Sequence, residues 1–197
     1  MPTDKKKILI LNGHPDVASK GLCHALAEAY GGGARVAGHE VRHIHVAALE
    51  FGFLRSQAEF EKAQAPPSIV AAQRDIQWAD HLFIVFPLWL GDLPALLKAF
   101  FEQTLRPGFA YTYRPNGFPI QHLKGRSARI VVTMGMPAFI YRWYFRAHGL
   151  KNLERNILKF VGFRPVRDTL IGRVGTTSTS TIERWLARIK ELGRLAD

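Results

Sequence analysis

The feature that most constrains the fold is a set of short runs in which every residue is apolar. Residues 8–11, 83–86 and 130–132 contain only Ile, Leu, Val and Phe. A strand with one face in water alternates polar and apolar residues, whereas a central parallel strand is covered by helices on both faces and is apolar throughout. These runs therefore predict the middle strands of a parallel sheet in an α/β protein.

Helical patterns separate the predicted strands, which is the alternation expected of a parallel sheet with helices on both faces. The predicted strands are 7–12, 40–46, 81–86, 128–133 and 166–171. The predicted helices are 22–30, 68–79, 93–105, 138–147, 150–161 and 178–192, with a short helical piece at 59–63. We expect Gly31–Gly33 to close the first helix and Ser68 to cap the second. The chain of 197 residues has no repeats or linkers, so we expect one domain over residues 1–197.

Composition narrows the classes of protein without selecting one. The net charge of +11 is compatible with nucleic acid, with an anionic small ligand such as a phosphate-bearing cofactor, or with a basic surface that only confers solubility. No recognisable nucleic-acid-binding motif accompanies the charge, so we expect no nucleic-acid partner. Cys23 is the only cysteine, which excludes an internal disulfide. The apolar runs are too short for a membrane span, and a cytoplasmic location is expected.

The loop after the first predicted strand is a candidate anion site. Because this loop leads into a helix, its backbone N–H groups and the positive helix end favour negative charge. Ser19 offers a hydroxyl, and His14 and Lys20 offer further donors. The glycine spacing fits neither a Walker A loop nor a dinucleotide fingerprint, and Ser19 acting only as a helix cap is an open alternative.

Two further strand exits, that is, loops that directly follow a strand, lie at the same edge of the predicted sheet. The third strand ends in Pro87-Leu88-Trp89-Leu90, an apolar and aromatic loop, and the fourth ends in Thr133-Met134-Gly135-Met136-Pro137. Ligands of open parallel sheets bind in the crevice outside the carboxyl ends of the strands. The three exits together predict a site for a flat, conjugated ligand.

Several other residues allow two interpretations each. His43 and His45 suggest either a metal site or an exposed edge strand, of which the edge strand is favoured. Cys23, at a helix start, is either an activated thiolate or a small residue that lets the backbone approach a phosphate, and we favour the second. The run 143–145, flanked by arginines, suits nucleobase stacking, or a cleft and dimer seam in which the arginines contact NADPH phosphates; the latter is favoured.

Taken in order along the chain, these residues resemble the flavodoxin-like NAD(P)H quinone oxidoreductases, the family of mammalian quinone reductase and bacterial drug-activity modulators. The resemblance extends from residue 6 to about residue 192 and is most specific between 86 and 113. The matching elements are His14-Pro15 with Ser19, Phe86-Pro87-Leu88-Trp89, Pro94-Ala95-Leu96-Leu97-Lys98, Phe101-Glu102, Gly108-Phe109-Ala110-Tyr111-Thr112-Tyr113, Thr133-Met134-Gly135, Tyr141 and His148-Gly149.

The resemblance implies a flavodoxin-like three-layer sandwich, a sheet ordered 2-1-3-4-5, a homodimer and a flavin at the carboxyl edge. By position, it implies that the residues binding the cofactor are His14, Ser19, Gly21, Cys23, Pro87, Leu88, Trp89, Leu90, Thr133, Gly135 and Met136. Tyr141 and His148 match the pair that the family places beside the flavin to assist hydride transfer. Backbone N–H groups of residues 88–90 are expected to stabilise electron density on the reduced ring. No metal is implied.

The implied function is two-electron transfer from NADH or NADPH through the flavin to a quinone or a similar flat acceptor. Two alternatives are a flavin azo- or nitroreductase and a regulatory subunit that contacts a membrane potassium-efflux transporter. The sequence departs from the family pattern at Lys20-Gly21 and at Leu90-Gly91, and the second departure predicts a wider ring pocket. It also lacks the long C-terminal extension of the mammalian enzymes, which favours FMN over FAD.

Overall fold

The computed structural model describes residues 5–18 and 21–197, and it has a parallel sheet at its centre. The five strands of this sheet are β1 (Lys7–Asn12), β2 (Glu40–His45), β3 (His81–Pro87), β6 (Ser127–Thr133) and β7 (Val166–Ile171). Their order is β2-β1-β3-β6-β7, and all neighbouring pairs are parallel. The predicted flavodoxin-like fold and 2-1-3-4-5 order are confirmed.

A small hairpin between β3 and β6 in the chain was not predicted. Strands β4 (Tyr111–Thr112) and β5 (Ile120–Gln121) pair antiparallel outside the main sheet. Two residues per strand are too few for the alternation that reveals a strand in a sequence.

Helices cover both faces of the sheet. They are α1 (Leu22–Val36), α2 (Gln57–Lys62), α3 (Pro67–Trp78), α4 (Ala95–Thr104), α5 (Ala138–Trp143), α6 (His148–Lys151), a π-helical stretch (Asn152–Leu158), α7 (Lys159–Val161) and α8 (Thr179–Leu195). A single 3-10 turn (Val46–Ala48) follows β2. No helix within residues 5–18 and 21–197 combines the length and the apolar character that a membrane crossing requires.

The apolar strands supply two cores, because successive side chains of a strand point to opposite faces. Ile8 and Ile10 of β1 lie in the core covered by α1 and α8, while Leu9 and Leu11 lie in the core on the other face. All four are at most 1% exposed. This is the double burial that their unbroken apolar pattern predicts.

Helix α1 does not end at Gly31–Gly33, as the sequence suggested, but continues through them to Val36. The reason is its contact with α8. A Cβ atom added to Gly33 would lie 1.9 Å from the carbonyl oxygen of Lys190, and one added to Gly193 would lie 2.1 Å from that of Tyr30. The two backbones touch where side chains are missing, so helix packing overrides the low helix propensity of glycine.

The predicted cap of α3 was also wrong. The helix begins after Pro66, with Pro67 in its first turn, where the missing proline N–H costs nothing. The Ser68 hydroxyl instead donates a hydrogen bond to the carbonyl oxygen of Glu50 at 2.6 Å. Ser68 therefore ties the start of α3 to the loop that follows the 3-10 turn.

The segment between β6 and β7 is less regular than the two predicted helices. After α5 the chain turns through Arg146 and Ala147, whose φ angles of 54° and 49° are in the left-handed region. The chain then continues through α6, the π-helical stretch and α7 to the start of β7. Non-glycine residues rarely adopt positive φ, and such strain is found preferentially at functional sites.

Candidate functional site

The three predicted strand exits meet at one edge of the sheet. In the strand register Asn12 is opposite Val85, and Pro87 is opposite Thr133. The backbone continues this pairing into the loops, since Gly13 N–H donates to Val85 O at 2.8 Å and Leu88 N–H donates to Thr133 O at 2.8 Å. The loops after β1, β3 and β6 therefore begin side by side.

Local hydrogen bonds shape the loop after β1. The Asn12 side chain accepts a bond from the backbone N–H of His14 at 3.0 Å, and His14 Nδ1 accepts one from Asp16 N–H at 3.2 Å. Because Nδ1 is the acceptor, a neutral His14 carries its proton on Nε2, which is left as a donor. Gly21 stands at the N-cap of α1. Ser19 and Lys20 lie outside the described residues.

Cys23 lies in the first turn of α1 and is only 3% exposed. Its thiol is 3.3 Å from the Thr133 hydroxyl, so it joins α1 to the end of β6. Burial raises the pKa of the Cys23 thiol to about 11, and the bond to Thr133 lowers it only in part. The activated thiolate that its position at a helix start allowed is therefore wrong, and a neutral thiol places no negative charge beside the loop.

The exit after β3 makes a tight turn that exposes two apolar side chains. Trp89 N–H donates to Asp92 O and Asp92 N–H donates to Trp89 O, both at 3.0 Å. The residues between them, Leu90 and Gly91, have φ angles of 48° and 82°, as in a type I′ turn. This turn favours Asn-Gly, so leucine at the first position is strained.

The same turn determines which groups face solvent. Trp89 is 52% exposed and Leu90 is fully exposed. The backbone N–H groups of Leu88 and Trp89 are already bonded to Thr133 O and Asp92 O. Of the three N–H groups expected to act on a ligand, two are thus committed to holding the loop.

The exit after β6 is open at one residue and tightly packed at the next. A Cβ atom added to Gly135 would meet nothing within 4 Å, so its backbone is accessible. Met136 is half-buried, and its carbonyl oxygen accepts a bond from Arg173 N–H at 3.1 Å. That bond fixes the exit against the loop following β7.

Tyr141 is buried, and its hydroxyl both donates and accepts a hydrogen bond. Its hydroxyl donates to Gly91 O at 3.3 Å and accepts from Leu150 N–H at 3.1 Å. Burial raises the pKa of Tyr141, and the bond from the Leu150 backbone opposes this shift. Tyr141 thus ties the turn at residues 90–91 to the segment beginning at His148, which sequence reasoning did not predict.

His148 is exposed and shares a cavity of about 780 Å³ with Tyr141 and the turn. The cavity is lined by Leu90, Gly91, Asp92, Tyr141, Phe145, Arg146, His148, Gly149, Lys151, Asn152, Arg155 and Asn156. The structure therefore brings together the two residues that the sequence analysis placed beside the ligand. It also adds basic residues after His148 that sequence reasoning missed.

The structural role of Gly149 was also missed in the sequence analysis. A Cβ atom there would lie 2.6 Å from both the Asp92 carboxylate and the Gly91 carbonyl oxygen. Only glycine lets this segment rest against the turn after β3. The available signal was the His148-Gly149 pair itself, because a glycine beside a candidate catalytic residue often marks a close backbone approach.

The rival sites have structural explanations. His43 and His45 lie on β2, which is an edge strand. The pKa of His43 is lowered, mainly by burial, and Arg35 lies 2.8 Å from its Nε2. Within residues 5–18 and 21–197, no group of three or more His, Cys, Asp or Glu side chains is placed to hold a metal ion. Arg142 forms an ion pair with Asp168 and does not line the cavity.

Comparison with known proteins identifies the family. The profile of the Flavodoxin_2 family, described as a flavodoxin-like fold, matches residues 6–192. The chain belongs to this family. The match covers the whole sheet and the residues of all three strand exits.

Individual Flavodoxin_2 relatives carry names related to quinone reduction, which confirms the resemblance. The chain is 30% identical over 148 residues to NAD(P)H dehydrogenase [quinone] 1 of Rattus norvegicus, covering 70% of this chain and 53% of that protein. It is 28% identical over 122 residues to an FMN-dependent NADH:quinone oxidoreductase of Ruegeria pomeroyi, covering 55% and 57%. The chain thus spans only about half the length of these curated relatives.

A solved structure extends the likeness over nearly the full length. The NAD(P)H:quinone oxidoreductase from Methanothermobacter marburgensis superposes with a TM-score of 0.79 and 25% identity, covering 96% of each chain. The architecture of that solved structure is therefore close to the one described above.

Proposed function

We propose that this chain is a flavin-dependent NAD(P)H oxidoreductase that transfers two electrons to a quinone. The observation that carries the proposal is the convergence of three strand exits on an exposed apolar turn, Trp89-Leu90, next to a cavity lined by Tyr141 and His148. Relatives named as quinone oxidoreductases support this reaction. Their names also favour an enzyme over the alternative regulatory subunit of a potassium-efflux system.

FMN is the proposed cofactor, and its phosphate would bind at the loop after β1. His14 keeps Nε2–H as a donor because its Nδ1 is occupied by Asp16 N–H. The first turn of α1 contains no acidic residue, and the neutral thiol of Cys23 adds no repulsion. Ser19 and Gly21 complete the proposed phosphate contacts. The donor chemistry of the described residues therefore fits an anionic tail.

The flat ring would lie against Pro87, Leu88, Trp89 and Leu90, with Thr133, Gly135 and Met136 beyond it at the neighbouring strand exit. Trp89 and Leu90 present apolar surface that is unfavourable in water and that a conjugated ring would cover. The open backbone at Gly135 leaves room for close approach. These residues fit a flavin. The relative of this chain from R. pomeroyi is named FMN-dependent.

When bound, FMN would supply the hydride chemistry, and the protein would supply position and electrostatics. His148 is exposed to the cavity, so we assign to it the hydrogen bond or proton for the substrate oxygen. Tyr141 has its proton committed to Gly91 O, so it acts first by fixing the turn under the ring. Direct assistance by Tyr141 would require that bond to be exchanged for one to the ligand.

A homodimer is proposed as the working assembly. Three aromatic side chains on and directly after α5 are well exposed: Phe139 at 61%, Trp143 at 78% and Tyr144 at 79%. Clusters of this kind on a soluble protein mark interaction surfaces. Light scattering coupled to size exclusion would test it, and a monomer at micromolar concentration would contradict it.

The first experiment is to purify the chain, record its visible spectrum and identify any released flavin by mass. Titration of apoprotein with FMN and FAD should show tighter binding of FMN. A colourless protein that binds neither flavin would overturn the proposed function at its root.

The second experiment concerns His148. We expect His148→Ala to slow quinone reduction by about a hundredfold, the usual contribution of a positioned acid or base. His43→Ala, a histidine on the edge strand β2, is the matched control and should retain the wild-type rate. Stopped-flow mixing of reduced protein with 2-methyl-1,4-naphthoquinone gives the rate, and equal rates in both variants would remove His148 from the reaction.

Acceptor choice separates quinone reduction from azo- or nitroreduction. These activities share the reductive half-reaction, so only the second substrate distinguishes them. The ratio of kcat/KM values for a naphthoquinone, an azo dye and a nitroarene should favour the quinone. A larger value for the azo dye would reassign the activity without affecting the flavin site.

A further inference from the structure

Basic side chains are concentrated on one wall of the cavity beside His148. Arg146, Lys151 and Arg155 line it, and Asp92 is its only carboxylate among the described residues. An Asp92 carboxylate oxygen already accepts a bond from Leu93 N–H at 2.8 Å. The wall therefore carries an excess of positive charge.

Pairing distinguishes these three residues from their neighbours along the chain. Just outside the cavity, Arg142 pairs with Asp168, and Lys159 pairs with Glu154 at 2.5 Å. Arg146, Lys151 and Arg155 form no ion pair within the ranges that the structure describes. Two cations beside the cavity are thus paired, whereas the three that line it have no ion-pair partner among the described residues.

The backbone of this segment is unusual in a way that supports a binding role. Arg146 itself has a φ angle of 54°, and Arg155 lies on the π-helical stretch Asn152–Leu158. The wider turn brings Lys151, Asn152, Arg155 and Asn156 to the same cavity. π-helical turns are rare and are found frequently at functional sites.

We propose that Arg146, Lys151 and Arg155 form a subsite for an anionic group on one of the two substrates, an inference that rests on the proposed function. The group is either a phosphate of the NAD(P)H donor or a sulfonate, carboxylate or phosphate on the acceptor. Guanidinium groups bind such oxyanions through two parallel hydrogen bonds, and lysine adds a point charge. Asn152 adds its side-chain N–H donors at the same wall, where its amide oxygen accepts a bond from the Asn156 side chain at 3.0 Å.

Two substrate pairs that differ in one anionic group provide the test. NADPH and NADH differ by the 2′-phosphate, and 1,4-naphthoquinone-2-sulfonate differs from 2-methyl-1,4-naphthoquinone by its charge. In Arg146→Gln/Arg155→Gln, the ratio of kcat/KM for the anionic member over its partner should fall about tenfold. The matched control is Arg74→Gln/Arg184→Gln, which removes two exposed arginines on α3 and α8 outside the cavity.

The outcomes separate the two sources of the anion. A fall confined to the NADPH/NADH ratio assigns the subsite to the donor, and a fall confined to the quinone ratio assigns it to the acceptor. If both ratios stay within about twofold of wild type, or if the control changes them equally, the subsite is refuted.

Binding measurements keep this result independent of turnover. Calorimetric titration with adenosine 2′,5′-bisphosphate and with 1,4-naphthoquinone-2-sulfonate should show about tenfold weaker affinity of at least one probe for the double variant. Unchanged affinity, or no binding of either probe to wild-type protein, would overturn the proposal. A protein that lacks flavin but shows the affinity loss would refute the oxidoreductase assignment and retain the anion subsite.

Discussion

Tyr141 shows how a single hydroxyl can organise a site. It connects Gly91 O to Leu150 N–H, so the turn after β3 and the segment around His148 are held by the same oxygen. The side chain is 1% exposed, and Leu150 is 3% exposed. Removing the hydroxyl would leave a buried N–H without its partner, which costs more than the bond itself contributes.

We therefore expect Tyr141→Phe to lower the free energy of unfolding by about 1–3 kcal/mol. Tyr144→Phe is the control, because Tyr144 is 79% exposed and a change there should stay within about 0.5 kcal/mol. Urea denaturation of both variants measures the difference. Equal stability of the two variants would mean that the Tyr141 bonds contribute nothing.

Cys23 gives a second prediction for a single residue. With its pKa raised to about 11 by burial, the thiol is almost wholly protonated at pH 7.5. Iodoacetamide should then label native Cys23 far more slowly than the urea-unfolded chain, since the thiolate is the reactive form. Mass spectrometry after timed labelling measures both rates, and similar rates would contradict the buried, hydrogen-bonded thiol.

At the level of elements, the crossing of α1 and α8 depends on glycine. Gly33 and Gly193 allow backbone contact, whereas a Cβ added to Gly32 would meet nothing within 4 Å. Gly33→Ala should therefore destabilise the fold by about 2 kcal/mol or more, because a methyl group is forced against a carbonyl. Gly32→Ala, one residue away, should stabilise it by about 0.5–1 kcal/mol.

Urea titration of these two variants is a stringent comparison, since they introduce the same methyl group into the same helix. Opposite signs are expected. If Gly33→Ala were as stable as Gly32→Ala, the helices would have to be further apart than the structure places them.

The elements also show what the sequence could reveal about the fold. Residues 7–12 were predicted as a strand with the observed bounds, because burial on two faces leaves a direct mark on composition. The extent of α1 was wrong, since only the contact with Lys190 explains why three glycines remain helical. The π-helical stretch has no sequence signature of its own.

For the site, the sequence predicted where the loops lie but not how they contact one another. Pro87, Thr133 and the loop at His14 were placed at one edge by topology alone. The bonds between Tyr141, Gly91 and Leu150 depend on two loops meeting, and no local pattern encodes that contact. The roles proposed for the site residues stay predictions.

At the scale of the whole molecule, the edge of the sheet opposite the site holds a buried basic cluster. His81 is 2% exposed, and its Nδ1 lies 2.7 Å from the Ser127 hydroxyl. Burial, followed by the charges of Lys6 and Arg129, lowers the pKa of His81 to about 3. We propose that the two cores flanking the sheet unfold together with this cluster, as a single domain over residues 1–197.

This histidine should make stability depend on pH. The unfolded chain binds a proton at His81 below pH 6.5, whereas the folded protein does not until about pH 3. Protonation therefore favours unfolding, and stability is lost as the pH falls from 6.5 towards 3, by up to about 1.4 kcal/mol per pH unit from this group.

His81→Gln should flatten that dependence, because glutamine retains a polar side chain that does not titrate. Urea denaturation of the variant and of wild type at pH 7, 6, 5 and 4 gives the two slopes. Parallel slopes would show that His81 is protonated equally in both states.

The turn at Leu90 has a practical consequence. Its shape is fixed by main-chain bonds between Trp89 and Asp92, while the Leu90 side chain is fully exposed at the cavity. The backbone conformation of the turn therefore does not depend on the side chain at position 90. Randomising one codon should retune which molecules the protein accepts while leaving the scaffold intact, which makes it a natural starting point for engineering.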